Sequence, residues 1–156
     1  MRLLSAAAPV SDFYDVKSYD PRESLGYLVA LVRRRLLDLL EPDFEALGLT
    51  SVQAIVLMGL GTGIASTAAD FCKTIQHDPG AMTRVIDRLE KTGLVRRVRA
   101  PDDRRAHKLE LTESGRKMLP AIKSAAVHAS NHMLRRLSHA EAHQLIASLK
   151  RLLEDT

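Results

Sequence analysis

The sequence is poor in cysteine and in aromatic residues. Cys72 is the only cysteine among 156 residues, tryptophan is absent, and aromatic residues make up 4% of the composition. A single cysteine excludes an intrachain disulfide, and the expected compartment is then a reducing cytoplasm. Because apolar residues still reach 46%, the core has to be built from aliphatic side chains and methionine. This composition favours packed helices.

Several functional signatures are also missing. No apolar run approaches the ~18 residues that a membrane-spanning helix needs, so no membrane partner is expected. Residues 1–10 contain a few apolar side chains but no convincing signal-peptide core, and we interpret residues 1–19 as an N-terminal arm. The chain has no phosphate-binding glycine loop, nucleophile elbow or metalloprotease helix. We therefore expect neither an enzyme nor a bound cofactor or metal.

The charge of the chain permits a polyanionic partner without requiring one. Lys and Arg number 23 against 19 Asp and Glu, which gives a net charge of +4. Charge alone is equally compatible with an ordinary basic protein. The length suits one domain, or a small unit that is intertwined with a second copy through long helices.

Helix starts are marked by N-capping residues followed by proline or by a polar third residue. The first helix should end at Pro42, the second in the glycine run 59–63, and the fourth at Gly93. The first has apolar side chains on two sides, which suggests burial against another subunit. The starts lie at Asp20-Pro21, Thr50-Gln53, Thr67-Asp70, Asp78-Pro79, Thr112 and Ser138-Glu141.

Between the fourth and fifth helices the pattern changes to short strands, at about residues 94–99 and 106–111. Pro101, Asp102 and Asp103 supply a turn between them. Two short helices joined by a turn at Gln76 and His77, and followed by a hairpin, form a winged helix-turn-helix. The sequence thus predicts a mainly α fold with a small β-hairpin wing, flanked by helical segments at both ends.

The tip of this wing carries the most specific motif of the chain. Arg104 and Arg105 can reach a DNA minor groove, and Asp103 is close enough in sequence to orient the guanidinium of Arg105. This Asp-x-Arg sequence, followed by Leu111-Thr112, resembles the wing of the multiple antibiotic resistance regulator (MarR) family. Residues 67–75 and 82–95 look like the two helix-turn-helix helices of that family, and the resemblance extends from about Arg22 to Leu153.

The predicted DNA-binding residues lie on the second helix of the helix-turn-helix, on its neighbour and on the wing. Thr83 and Arg84 are the candidates for base edges, because arginine can bind guanine through two hydrogen bonds and this half of the helix would enter the major groove. Gly80 and Ala81 permit close approach there. The remaining candidates, for phosphate or for the general field of the wing, are Thr67, Thr74, Gln76, His77, Arg88, Arg97, Arg99, Asp103, Arg104, Arg105 and Lys108.

The resemblance implies a homodimer that binds double-stranded DNA at a pseudo-palindromic operator. Residues 20–45 and 113–156 would form its helical dimerisation region, and residues 46–112 its winged helix-turn-helix. Family members typically repress nearby genes and release DNA when a small phenolic or anionic effector binds. The resemblance therefore implies a ligand-responsive regulator, most simply a repressor.

Two other interpretations remain open from the sequence. A winged helix can serve as a protein-interaction module without specific DNA binding, although such a face more often exposes aromatic anchors. Alternatively, the regulator could respond to redox state through Cys72. It could also respond to metal through His128 and His132 or His139 and His143, each pair four residues apart.

Overall fold

The computed structural model describes residues 12–75, 78–99 and 107–154. The described residues divide into two compact units, one before and one after the boundary between Arg35 and Leu36. A short 3-10 helix, Pro21–Glu23, precedes six α-helices and one two-stranded sheet. These are α1 (Leu25–Ala46), α2 (Ser51–Thr62), α3 (Ala68–Ile75), α4 (Pro79–Lys91), β1 (Val95–Arg99), β2 (His107–Leu111), α5 (Glu113–Leu134) and α6 (His139–Leu153). The predicted fold class, mainly α with a β-hairpin wing, is confirmed.

The first helix begins later than the sequence predicted. The Asp20 side chain does accept a hydrogen bond from the Arg22 amide (2.9 Å), but it caps only the 3-10 helix. Ser24 then adopts an extended conformation, and its hydroxyl accepts from the Tyr27 amide at 3.3 Å. The Tyr14 hydroxyl accepts from the Leu25 amide at 2.9 Å. Because these two hydroxyls satisfy amides of the first turn, α1 begins at Leu25.

The prediction that Pro42 ends this helix is wrong, since α1 continues to Ala46. Leu40 and Phe44, on either side of the proline, are both buried in the core. Burial of a large apolar side chain contributes roughly 1.5–3 kcal/mol, so the two together can offset the roughly 3 kcal/mol that an internal proline costs. The helix ends instead before Gly48, which has a positive φ of 71°.

The glycine run 59–63 contains the end of α2, as predicted, although the helix continues to Thr62 and passes Gly59 and Gly61. Gly59 and Gly61 lie within the helix at positions where side chains of other elements approach the backbone closely. A methyl group at Gly59 would lie 2.6 Å from a ring carbon of Phe71, and one at Gly61 would lie 2.6 Å from a methyl carbon of Leu119. Gly63, with a φ of 73°, is the residue that caps the helix. Two of the three glycines therefore serve packing.

The helix-turn-helix and the wing follow the prediction closely. Met82, Ile86 and Leu89 of α4 have no exposed surface and anchor the helix in the core. Antiparallel β1 and β2 pair Val95 with Leu111 and Arg99 with His107. The strand boundaries differ by one residue from those predicted. The fold thus holds the inner face of α4 and one face of the wing against a common aliphatic core.

The C-terminal helices begin at the predicted caps. The Thr112 hydroxyl accepts from the Gly115 amide at 3.1 Å, and α5 then continues through Pro120. Ser138 and Glu141 form the predicted capping box of α6. Among the described residues no single helix is long and apolar enough to cross a membrane. Only α1 and α2 taken together reach the length and apolar composition of a membrane-spanning segment.

Candidate nucleic-acid interface

The N-terminal half of α4 presents a small, exposed surface with one cation. Asp78 caps the helix through a 2.8 Å hydrogen bond from the Ala81 amide, so the first turn is fixed. Gly80, Thr83 and Arg84 are exposed, and Ala81 is half-buried. A methyl group at Gly80 would lie 3.8 Å from Nη1 of Arg84, which places the guanidinium beside the first turn. The predicted base-reading residues therefore share one end of the helix.

Arg84 and Arg88 form no ion pair with any residue that the structure describes. They lie one turn apart on the exposed face of α4, opposite the buried Met82 and Ile86. Asp87, the sequence neighbour of Arg88, pairs with Arg97. Both guanidinium groups are thus available to an anionic partner.

The three threonines among the predicted contacts differ in the hydrogen bonds their hydroxyls can still make. Thr74 donates to the carbonyl of Asp70, and Thr83 donates to that of Pro79, each at 2.9 Å. Phosphate oxygens only accept hydrogen bonds, so neither hydroxyl can donate to a phosphate while it keeps this bond. Thr83 can still accept a hydrogen bond from a base amino group. Thr67 accepts from the Asp70 amide at 3.1 Å, so its hydroxyl belongs to the cap of α3.

The N-terminus of α3 is closed by a reciprocal cap. Oδ2 of Asp70 accepts from the amides of Ser66 (3.1 Å) and Thr67 (2.9 Å), while the Thr67 hydroxyl accepts from the Asp70 amide. The hydrogen bond from Ser66, followed by the one with the Thr67 side chain, lowers the pKa of Asp70 below its usual value. The Ser66 carbonyl in turn accepts from the Leu109 amide of β2 at 2.8 Å. The cap therefore ties α3 to the wing.

Arg97, one of the predicted contacts on the wing, is engaged by two carboxylates of α4. Its Nη2 lies 2.5 Å from Oδ1 of Asp87, and its Nη1 pairs with Oε2 of Glu90. The hydrogen bond that Arg97 donates to Asp87 is the main cause that raises the pKa of Arg97. The side chain is only 31% exposed. Sequence spacing gave no sign of this pairing, because the carboxylates precede Arg97 by ten and seven residues and lie on another element.

The other wing residues are more open. Arg96 pairs across the strands with Glu110 at 2.6 Å. Arg99 and Lys108 are exposed and form no ion pair with a residue that the structure describes. The remaining predicted contacts, Gln76, His77, Asp103, Arg104 and Arg105, lie outside the described residues.

A groove of about 370 Å³ separates α3, α4 and the sheet. It brings together three predicted contacts, Thr67, Thr83 and Arg97. It also includes His107, which the sequence did not single out. The predicted hairpin could have indicated this residue, because it places the start of the second strand beside the end of the first. In the structure, His107 pairs directly with the predicted contact Arg99. The two helices and the wing therefore form one continuous face.

The residues considered as sensors show no assembled site. Cys72 is half-buried on α3. In the described ranges no three His, Cys, Asp or Glu side chains come close enough together to hold a metal ion. His139 and His143 line a groove of about 560 Å³ between α5 and α6, whereas His128 faces Asp43 at 3.5 Å.

Known proteins share both the sequence pattern and this geometry. A model of the MarR family matches residues 47–106. The transcriptional repressor NicR of Pseudomonas putida is 27% identical over 146 residues, covering 94% of this chain and 92% of NicR. A mutant MarR of Escherichia coli, solved with operator DNA, has a TM-score of 0.72 at 27% identity, covering 83% of this chain and 94% of that one.

A Mycobacterium tuberculosis MarR family protein, solved with salicylic acid, has a TM-score of 0.71 at 26% identity and covers 83% of this chain and 96% of that one. Most of this chain therefore superimposes on each of two known structures, one solved with DNA and the other with a small ligand. Together with the winged helix and the Asp-x-Arg wing motif, these similarities support a MarR family winged-helix transcriptional regulator.

Proposed function

We propose that this protein is a dimeric repressor that binds a pseudo-palindromic operator and releases it when a small ligand binds. The observation that carries the proposal is the two-sided character of α4. Its inner side chains Met82, Ile86 and Leu89 are fully buried, and its outer face presents Arg84 and Arg88 without carboxylate partners among the described residues. A helix anchored in this way can enter the major groove while its backbone stays fixed.

Each part of the surface would have a different role in the complex. Arg84 and Thr83 would contact base edges, with Gly80 and Ala81 permitting close approach. Thr67, Arg88, Arg99 and Lys108 would contact phosphates and set the register without reading sequence. The wing tip at Arg104 and Arg105, oriented by Asp103, would enter the minor groove, and Gln76 and His77 would lie near the backbone.

The apolar surface at the two ends of the chain supports a homodimer. On α1, Leu28, Val29 and Val32 are about half exposed. On α6, Leu152 and Leu153 are exposed by 63% and 83%. Monomeric proteins rarely leave so many large apolar side chains on two helices in water. Burial against a second copy would remove this surface and place the two α4 helices on successive half-sites, with residues 20–45 and 113–156 as the dimerisation region.

The proposed response to a ligand rests on relatives. NicR is named a repressor, and the family member of M. tuberculosis was solved with salicylic acid. A small phenolic or anionic effector would release DNA from this protein only through tighter binding to a dimer whose α4 spacing does not fit the operator. We place this activity in the cytoplasm, where DNA is accessible and Cys72 would stay reduced.

The proposal is tested by fluorescence anisotropy of the purified protein on the intergenic DNA beside its own gene. Random DNA serves as competitor, and the titration is repeated at several salt concentrations. We expect binding that resists the competitor and weakens with log salt at about −0.9 per neutralised phosphate. Arg84→Ala should lose roughly tenfold or more in operator affinity, because a bidentate base contact is worth about 1–3 kcal/mol.

Lys17→Ala, at an exposed residue outside both the proposed DNA contacts and the proposed dimerisation region, is the control for the loss of one positive charge. It should bind as the wild type does. Equal, weak binding of the wild type to both DNAs would contradict specific recognition of this DNA. No DNA binding at all would favour a protein-interaction module instead.

A further inference from the structure

Among the described residues of the surface proposed to face DNA, Arg97 is the charged side chain with the most carboxylate partners. The guanidinium meets Asp87 at 2.5 Å and also Glu90. Oε1 of Glu90 additionally accepts the backbone amide of Arg97 at 3.3 Å. One carboxylate thus holds both the side chain and the main chain of β1. We call Arg97, Asp87 and Glu90 the α4–β1 clamp.

Charge makes the clamp a poor phosphate-binding site. Two carboxylates against one guanidinium leave a formal charge of −1 beside α4. A phosphate approaching Arg97 would have to displace carboxylates already in hydrogen-bonding contact and would be repelled by them. By charge alone, Asp87 and Glu90 weaken DNA binding. Their place on the recognition helix calls for a role other than affinity for phosphate.

Geometry suggests such a role. The turn Thr92–Leu94 joins α4 to β1, so a change in the angle between the helix and the wing would bend the chain at this short connection. Arg97 is the third residue of β1, and the clamp fixes it to Glu90 in the last turn of α4 and to Asp87 about one turn earlier. A contact beyond the hinge point constrains the angle far better than the turn alone.

We propose that Arg97 is a positioning residue, which presets the angle between α4 and the wing so that the helix and the wing tip fit adjacent grooves together. This inference rests on the proposed function, because it assumes that both elements contact one operator. Without the clamp, DNA binding has to order the wing, and specific affinity falls by the free energy of that ordering. Binding to random DNA depends mainly on total positive charge and does not need the preset angle.

The test uses variants that remove a negative charge, which by itself should strengthen DNA binding, whereas loss of the clamp should weaken binding to the operator. Asp87→Ala and Glu90→Ala each remove one negative charge from the full-length protein. We expect random DNA to be bound as tightly as by the wild type or more tightly. Operator affinity should fall by about three- to tenfold, so that the ratio of specific to random binding falls in both variants.

The matched control is Glu110→Ala, which makes the same change in charge at the exposed Arg96–Glu110 pair of the sheet. It should leave the ratio unchanged. Arg97→Ala should lower the ratio while its salt dependence stays that of the wild type. A salt slope reduced by about 0.9 would instead make Arg97 a phosphate contact and overturn the proposal. An unchanged or improved ratio in Asp87→Ala and Glu90→Ala would overturn it as well.

A second measurement separates this inference from the proposed function. Amide hydrogen exchange of Arg97 in the DNA-free protein should become faster in Glu90→Ala, because the carboxylate that accepts its amide is gone. Unchanged exchange would overturn the clamp even if operator binding is found. Faster exchange in a protein without any operator preference would refute the proposed function while leaving the clamp in place.

Discussion

The charged residues on the surface proposed to face DNA fall into two groups, those paired with other side chains of the protein and those that remain exposed. Asp87 and Glu90 hold Arg97, Glu110 pairs with Arg96, and Arg84 keeps no carboxylate partner among the described residues. This division decides which arginines can contact DNA directly. It follows from where the carboxylates lie in space, so the number of arginines is a poor guide to the number of phosphate contacts.

Asp70 gives a prediction at this scale, because its pKa is lowered in the folded protein by the hydrogen bond from Ser66 and by the Thr67 side chain. A carboxylate with a lowered folded pKa stabilises above its unfolded pKa of about 4, and this stabilisation is lost as the pH falls through the folded pKa. Asp70→Asn should therefore reduce the free energy of unfolding at pH 7, by up to roughly 1 kcal/mol as for other helix caps.

Urea unfolding of the wild type and the variant between pH 3 and pH 7 measures this difference, which should shrink toward pH 3. Asp38→Asn, on the exposed surface of α1, is the control and should give no comparable trend. A difference between Asp70→Asn and wild type that stays constant with pH would contradict the account of the cap.

The residue-level predictions succeeded where the signal is local in sequence. Asp78, Thr112 and Ser138 cap their helices as predicted, since a cap involves only neighbours three residues away. The placement of Arg84 on an exposed face followed from helical periodicity. The partners of Arg97 could not be predicted in the same way, because the strand has to fold back along α4 before Asp87 and Glu90 come within reach.

Elements were predicted well in type and less well in extent. Pro42 was interpreted as a stop because proline is unfavourable inside a helix, and this was wrong, whereas the glycine run does contain the end of α2, at its cap Gly63. In the folded chain, burial of Phe44 outweighs the local preference at Pro42, and the close approach of Phe71 accounts for glycine at position 59 within the helix. Such contacts join remote parts of the sequence, so intrinsic helix propensity could not reveal them.

Gly115 gives a prediction at the level of elements. A methyl group there would lie 2.1 Å from the carbonyl oxygen of Leu94, so α5 can start against β1 only with glycine at this position. Gly115→Ala gains at most about 1 kcal/mol in helix propensity but forces backbone apart, and we expect a net loss of roughly 1–3 kcal/mol.

Thermal and urea unfolding measure this change. Gly26→Ala is the matched control, because Gly26 is also helical and has no atom within 4 Å of the added methyl group. It should be neutral or stabilising. Equal effects of the two substitutions would show that packing against Leu94 is not what requires glycine.

For the whole molecule, the sequence was sufficient to predict the fold class and the family, because the wing motif and the helix order are specific in combination. It could not determine the extent of α1 or the role of the carboxylates on α4. Apolar side chains on two sides of the first helix suggested a partner subunit, and exposed side chains on α1 and α6 support the same proposal. In the proposed dimer, assembly sets the function, because one chain carries one α4 whereas the expected pseudo-palindromic operator has two half-sites.

Selection of bound sequences from a random DNA library tests the central claim most directly, since it requires no knowledge of the operator. We expect the wild type to enrich a two-fold symmetric motif whose half-sites lie about one helical turn apart. Arg84→Ala should lose its preference at one position in each half-site and keep the rest of the motif. Enrichment of no motif, or of a single asymmetric site that Arg84→Ala leaves unchanged, would contradict a dimer that reads DNA through α4.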